Sequence, residues 1–288
     1  MRNSLVMGIL LTFGPTLAAQ EVGPPKGSLV IVGGAMKDQR IVERFLELAG
    51  GPDVPLVVIP TAGEDDDYDL YWSGLKPFRE AGASHITVLH TRDRQIADTG
   101  AFAAPIREAR GVWFSGGRQW RLADSYLDTV VHDELRALLE RGGVIGGSSA
   151  GATIQGDYLA RGDTKTNEIM MGDHQEGLGF IRNVAIDQHL FRRNRQFDLI
   201  EIIEAHPDLL GIGIDEDTAI VVKGDEFDVI GQSYVAIYDH NRRLDSGGLF
   251  YLLAAGDRFD LKTREPYRLT ETAEPLERVQ KRTWSGQE

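Results

Sequence analysis

Cysteine is absent from the 288 residues, so the chain can build no disulfide, no thiol nucleophile and no lipoprotein attachment site. Positive charge is scarce as well: 31 Lys and Arg face 44 Asp and Glu, a net charge of −13 with histidine neutral. That balance argues against nucleic acid and anionic membrane surfaces as partners, since both need clustered cations. Internal repeats, low-complexity tracts and heptads are missing, which removes solenoids and coiled coils. Long apolar runs are missing too. The apolar stretch at residues 5–13 is too short to span a bilayer. With Arg2 before it and Thr16-Leu17-Ala18-Ala19 after it, residues 1–19 have the layout of a signal peptide. The expectation is an exported bacterial protein, periplasmic or extracellular, with no membrane association once the signal is removed.

What is present is an ordinary globular composition, 42% hydrophobic and 26% charged. After a Gly/Pro linker at residues 20–27, apolar β-branched runs alternate with amphipathic stretches. Strands are predicted at 28–32, 55–60, 85–89, 111–114 and 144–147, and helices at 38–48, 69–81, 98–109 and 130–140. This alternation predicts an α/β fold with a doubly wound, mainly parallel sheet. Further along, a strand is predicted at 184–188, a helix at 195–205, and closely spaced strands at 211–214, 218–222, 227–230 and 234–238. The latter read as a C-terminal antiparallel extension, making one domain over 28–269 with a polar tail at 270–288. Ligands of such sheets sit at the carboxyl ends of the strands.

At one of those ends lies Gly146-Gly147-Ser148-Ser149-Ala150-Gly151-Ala152, which has the form of a nucleophile elbow. Small residues two before and two after Ser149 permit the tight strand-to-helix turn, and the amide of Ala150 is left free to stabilise an oxyanion. A serine nucleophile needs a base. Of the seven histidines, His189 ends an apolar strand in Asp187-Gln188-His189 and opens into Arg192-Arg193-Asn194-Arg195, while His174, in a loop, is the runner-up. The third member is a carboxylate, and Asp215-Glu216-Asp217 offers three acids at a strand end. Strand alternation puts Asp215 and Asp217 on one side and Glu216 on the other, and the pattern does not choose between them.

Five blocks in order then amount to a resemblance: Ile31-Val32-Gly33-Gly34, Phe114-Ser115-Gly116-Gly117-Arg118-Gln119, Gly147 to Ala152, Asp187-Gln188-His189, and Gly211 to Ala219. The chain resembles the cyanophycinase branch of the serine peptidase family that also contains aspartyl dipeptidase. The resemblance runs from about residue 28 to about residue 240. It implies Ser149 as nucleophile, His189 as base and Glu216 as orienting acid, with the amides of Gly117 and Ala150 as oxyanion hole. It implies a substrate pocket lined by Gln119, Asp187, Gln188, Arg193 and Arg195, and a fold like that of class I glutamine amidotransferases with serine in place of cysteine. No cofactor and no metal are implied. The implied substrate is a peptide or the cyanophycin polymer, cut to β-aspartyl-arginine. The sequence departs from the family pattern at Arg118, where Asp is usual, and at Asp198, where cyanophycinases often carry a basic residue.

Other readings compete. An isoaspartyl or α-aspartyl dipeptidase of the same family shares every block. An α/β-hydrolase esterase fits the elbow, but its partners run serine, acid, histidine, whereas here they run Ser149, His189, Glu216. A binding protein that has lost turnover is a third reading. A metal hydrolase built on residues 215–217 has no second ligand cluster. Oligomeric state is left open, and a homodimer is compatible with the fold.

Overall fold

The computed structural model describes residues 21–242 and 247–268. The expected signal peptide and the polar tail lie outside them. The N-terminal half runs β1 (Ser28–Val32), α1 (Gln39–Ala49), β2 (Leu56–Ile59), a 3-10 turn (Ser73–Leu75) leading into α2 (Lys76–Glu80), β3 (Ile86–Val88), α3 (Arg94–Ala97), α4 (Gly100–Glu108), β4 (Gly111–Phe114), α5 (Gln119–Tyr126), α6 (Val130–Glu140) and β5 (Val144–Ser148). The helix predicted at 69–81 is shortened to its last turn and a half. Pro77 has no amide hydrogen to give and fits best in a helix's first turn, and the helix begins beside it.

The second half runs α7 (Ala150–Thr153), β6 (Gly156–Tyr158), β7 (Ile181–Gln188), α8 (Leu199–Ala205), β8 (Leu210–Ile214), β9 (Thr218–Lys223), β10 (Glu226–Gly231), β11 (Tyr234–Asp239), β12 (Tyr251–Ala254), β13 (Asp257–Asp260) and β14 (Glu265–Arg268). The helix predicted from 195 starts at Leu199, because Asn194 has a positive φ of 54° and Arg195 turns back to bond the carbonyl of Leu190.

Two sheets result. One has nine strands in the order β14-β13-β10-β9-β1-β5-β4-β2-β3, the other five in the order β12-β11-β8-β7-β6. In the larger sheet β1, β5, β4, β2 and β3 pair in parallel, and β9, β10, β13 and β14 extend it antiparallel beyond β1. The architecture is therefore doubly wound and mixed, not mainly parallel. The reason is local: β9 and β10 are joined through Gly224-Asp225, and a two-residue connection can link only antiparallel neighbours. The extension is also divided, since β8 and β11 belong to the smaller sheet and β9 and β10 to the larger.

Both faces of the larger sheet are covered at its centre, which is why β1 is buried at every position. Val30 and Val32 pack with Ile41 and Phe45 of α1 and with Phe78 of α2. Leu29 and Ile31 face the other way, into a core shared with Ile106, Leu122 and Leu135 and with Ile186 and Ile212 of the smaller sheet. α8 closes the far side of that sheet through Leu199, Ile202 and Ile203. Residues 22–24, read as linker, lie against this body: the amide of Val22 donates to Asp225 (2.7 Å) and its carbonyl accepts from Arg182 (2.8 Å). Among the described residues no helix is long and apolar enough to cross a membrane.

The packing brings the carboxyl ends of β1, β5 and β7 together. The carbonyl of Val32 accepts from the amide of Ser149 (3.0 Å) and that of Gly33 from the amide of His189 (2.8 Å). The three-residue link from β8 to β9 crosses between the sheets at the same place, where the amide of Asp217 reaches the carbonyl of Gly34 (2.9 Å).

Candidate active site

Ser149 sits between β5 and α7 with φ 57° and ψ −113°, a conformation that side chains other than glycine's avoid and that costs about 1–3 kcal/mol. The turn is this tight because its flanks are bare. A Cβ on Gly147 would lie 2.2 Å from the carbonyl oxygen of Gly151, and one on Gly151 would lie 2.2 Å from that of Phe114. Ala150 is the first residue of α7, so its amide has no intrahelical acceptor. Gly117, exposed on the loop after β4, supplies the other amide that the sequence picked out.

The Ser149 hydroxyl lies 2.9 Å from Nε2 of His189, and Nδ1 of His189 lies 2.7 Å from Oε1 of Glu216. A carboxylate only accepts, so Nδ1 carries the hydrogen and Nε2 of the neutral ring is free to accept from the serine. The ring is nearly enclosed, with the residue 7% exposed. Burial pushes its pKa below the ordinary 6.5; the Glu216 hydrogen bond pulls the other way, and the nearby Arg193 charge adds to the lowering. The imidazole is thus neutral and able to take a proton at neutral pH. On a pH–rate profile, kcat/KM is expected to fall on the acid side with a midpoint below 6.5. Arg193→Gln removes a cation that disfavours imidazolium, so the acid limb moves to higher pH; a limb that stays in place would show that Arg193 does not act on His189.

The three acids after β8 take three different tasks. Glu216 alone among them bonds His189. Asp215 accepts from the amides of Phe191 (3.0 Å) and Arg192 (3.1 Å) and from the Ser233 hydroxyl (2.7 Å), which fixes the loop that follows His189. Asp217 accepts from the amides of Lys37 and Asp38. Residues 215–217 form a turn with a positive φ at Asp217, so the side alternation expected of a strand does not apply. His174 stands apart: it bridges Asp124 (2.7 Å) and Asp173 (3.1 Å) across the loop after β6. Burial works against its protonation, but the two carboxylates outweigh it and raise its pKa.

The residues expected to line a substrate pocket divide by exposure. Arg193 is exposed beside the relay. Gln119, Asp187, Gln188 and Arg195 are all buried. Gln119 donates to the carbonyl of Ala160 (2.9 Å), and Arg195 donates to Oε1 of Gln188 (2.8 Å). Asp187 is held by Arg161, a residue that sequence reasoning did not single out. A lone arginine in Leu159-Ala160-Arg161-Gly162 carries no sign of partners 26 and 37 residues away. Arg118 directs its guanidinium to the carbonyl of Asp163 (2.6 Å), and Asp198 also pairs with Arg161.

Residues 29–230 match the family model described as peptidase family S51. The chain belongs to peptidase family S51. Membership classes it as a serine-type peptidase. A cyanophycinase of Geminocystis herdmanii is 33% identical over 270 residues, covering 84% of this chain and 96% of that protein. A cyanophycinase of Trichormus variabilis is 32% identical over 267 residues, covering 83% and 87%. Among solved structures, a peptidase from an acI-B1 Actinobacterium superposes with a TM-score of 0.65 at 25% identity, covering 83% of this chain and 98% of that one. A putative peptidase E protein from Listeria monocytogenes, with a TM-score of 0.53 at 20% identity, covers 72% and 100% and shares the fold.

Proposed function

We propose that this S51 peptidase hydrolyses amide bonds at aspartyl residues through a Ser149-His189-Glu216 triad, acting on cyanophycin or a closely similar polymer to release β-aspartyl-arginine. The observation that carries the reading is the unbroken relay from the Ser149 hydroxyl through His189 to Glu216, at 2.9 and 2.7 Å. Ser149 attacks the scissile carbonyl while Nε2 of His189 takes its proton, and Glu216 steadies the imidazolium. The amides of Gly117 and Ala150 receive the charge that develops on the carbonyl oxygen. His189 returns the proton to the leaving amine, and water resolves the acyl-enzyme by the same route in reverse.

The chain order of the three residues supports a fold of the class I glutamine amidotransferase type with serine as nucleophile, and the cyanophycinases at 32–33% identity support the substrate class. The layout of residues 1–19 supports export, so that the enzyme meets its substrate outside the cytoplasm. Mass spectrometry of products after incubation with cyanophycin, an isoaspartyl dipeptide and an α-aspartyl dipeptide tests the reading. β-Aspartyl-arginine from the polymer is the expected result. Cleavage of the dipeptides with the polymer untouched would make the enzyme a dipeptidase, and no cleavage of any aspartyl substrate would overturn the reading.

A further inference from the structure

His174, outside the relay, has a carboxylate at each ring nitrogen: Nδ1 lies 3.1 Å from Oδ1 of Asp173 and Nε2 lies 2.7 Å from Oδ1 of Asp124. A neutral imidazole has one N–H and one lone pair, so it could donate to only one of them and would turn its lone pair on the other. The geometry therefore calls for imidazolium, with a hydrogen on each nitrogen. Glu176 of the same loop lines the cleft beside the ring, together with Tyr158 of β6 and Arg94 of α3. Arg94 is an opposing cation there, and its guanidinium points at the carbonyls of Asp124 and Asp128 (3.5 Å each). On the α5 side the Trp120 ring lies 6.1 Å from the imidazole, and Arg121 stands over that ring. Burial acts against the proton on His174, but the hydrogen bonds to Asp124 and Asp173 outweigh it and raise the pKa.

The two carboxylates belong to different elements, Asp124 to α5 and Asp173 to the loop between β6 and β7. That loop is folded on itself. The amide of His174 donates to the carbonyl of Gly162 (3.2 Å), and Asp173 accepts from the amide (2.9 Å) and hydroxyl (2.6 Å) of Thr164. The start of α5 is tied to the same loop, through Arg118 to the carbonyl of Asp163 (2.6 Å) and through Gln119 to that of Ala160 (2.9 Å). Neither of those bonds titrates near neutral pH. Gly117 directly precedes Arg118, at φ 142°, where a Cβ would lie 2.0 Å from the carbonyl oxygen of Ala62. The direction of its amide thus depends on how the first residues of α5 are held. We propose that His174 is a pH-sensitive clasp: as imidazolium it fastens this loop to α5 and fixes the backbone that carries the Gly117 amide, and on losing its proton it lets loop and helix part. His174 is a positioning residue, acting on catalysis through α5. The inference rests on the reading of Gly117 as an oxyanion donor in an aspartyl hydrolase.

Proton NMR of the ring, thermal unfolding and kcat for release of β-aspartyl-arginine from cyanophycin, each followed across neutral and alkaline pH, test this. The His174 resonance, assigned through its proximity to the Trp120 ring, is expected to titrate above 6.5. A group whose pKa is raised on folding stabilises fully below its unfolded value and ceases to do so as pH rises through the folded one. Over that interval the unfolding midpoint is expected to fall by roughly 2 °C and kcat by about tenfold. His174→Gln is expected to lack both transitions and to stay at the alkaline kcat of the wild type throughout. His174→Arg, charged at every pH and able to donate to both carboxylates, is expected to keep the high kcat through the alkaline range. A kcat that does not fall as the ring titrates, a fall whose midpoint differs from the ring's by more than about one unit, wild-type kcat in His174→Gln, or an equal fall in His174→Arg overturns the inference while the wild type remains an aspartyl hydrolase. The comparison of ring and rate in the wild type decides even where a variant does not fold. A wild type inert toward every aspartyl substrate overturns the site reading, and this inference with it.

Discussion

Ser149→Gly is expected to abolish hydrolysis and at the same time to make the protein more stable. Loss of the nucleophile of a triad lowers kcat by about 10⁵–10⁶-fold, leaving only what the oxyanion hole and binding contribute. Stability moves the other way because Ser149 is held at φ 57°, ψ −113°. Glycine adopts that conformation without steric cost, and against the strain relieved stands only the greater freedom that glycine has in the unfolded chain. The net gain is about 1 kcal/mol. Calorimetry and rate assays on the same preparation check both halves. Ser149→Ala provides the control: it loses activity to the same degree but keeps the strained backbone, so its midpoint does not rise. A glycine variant that melts below the wild type would show that the elbow is not strained at rest.

Glu216→Gln is expected to lower kcat by about 10²–10⁴-fold with little change in folding. The carboxylate only accepts, which puts the hydrogen on Nδ1 of His189; a carboxamide can also donate, which permits the tautomer with Nε2 protonated and unable to take the serine proton. It also removes the negative charge that steadies imidazolium. Asp217→Asn, one residue away, is expected to stay within about threefold of the wild-type kcat. Its Oδ1 accepts from the amides of Lys37 and Asp38, a task that an asparagine oxygen can also perform. The pair of variants separates chemistry from turn structure at neighbouring positions. Equal losses in both would mean that residues 215–217 act only as a structural unit.

Much of this site could be read in the sequence, and the reasons are specific. β1, β2, β4 and β5 are marked by apolar runs because both faces of the sheet are covered there. The elbow was marked because Gly147 and Gly151 leave room for backbone that any Cβ would occupy. The division into two sheets was hidden, because Ile214 and Thr218 end and begin equally apolar strands and only three residues separate the sheet of one from the sheet of the other. The choice among Asp215, Glu216 and Asp217 was hidden for a related reason: period-two reasoning assumes a strand, and these residues turn. α5 carries little helical signal because the polar Gln119 and Ser125 occupy positions on its buried face. Arg161 was invisible because its importance lies in its partners, which come from β7 and from the loop before α8.

Hydrolysis through this triad requires that the acyl group form on Oγ of Ser149. Incubation with a fluorophosphonate, followed by mass mapping of the adduct and assay of residual β-aspartyl-arginine hydrolysis, reads this directly. One adduct on Ser149, with activity lost in proportion to labelling and no adduct in Ser149→Gly, is the predicted result. An adduct on a different residue, or undiminished hydrolysis by fully labelled protein, would contradict it.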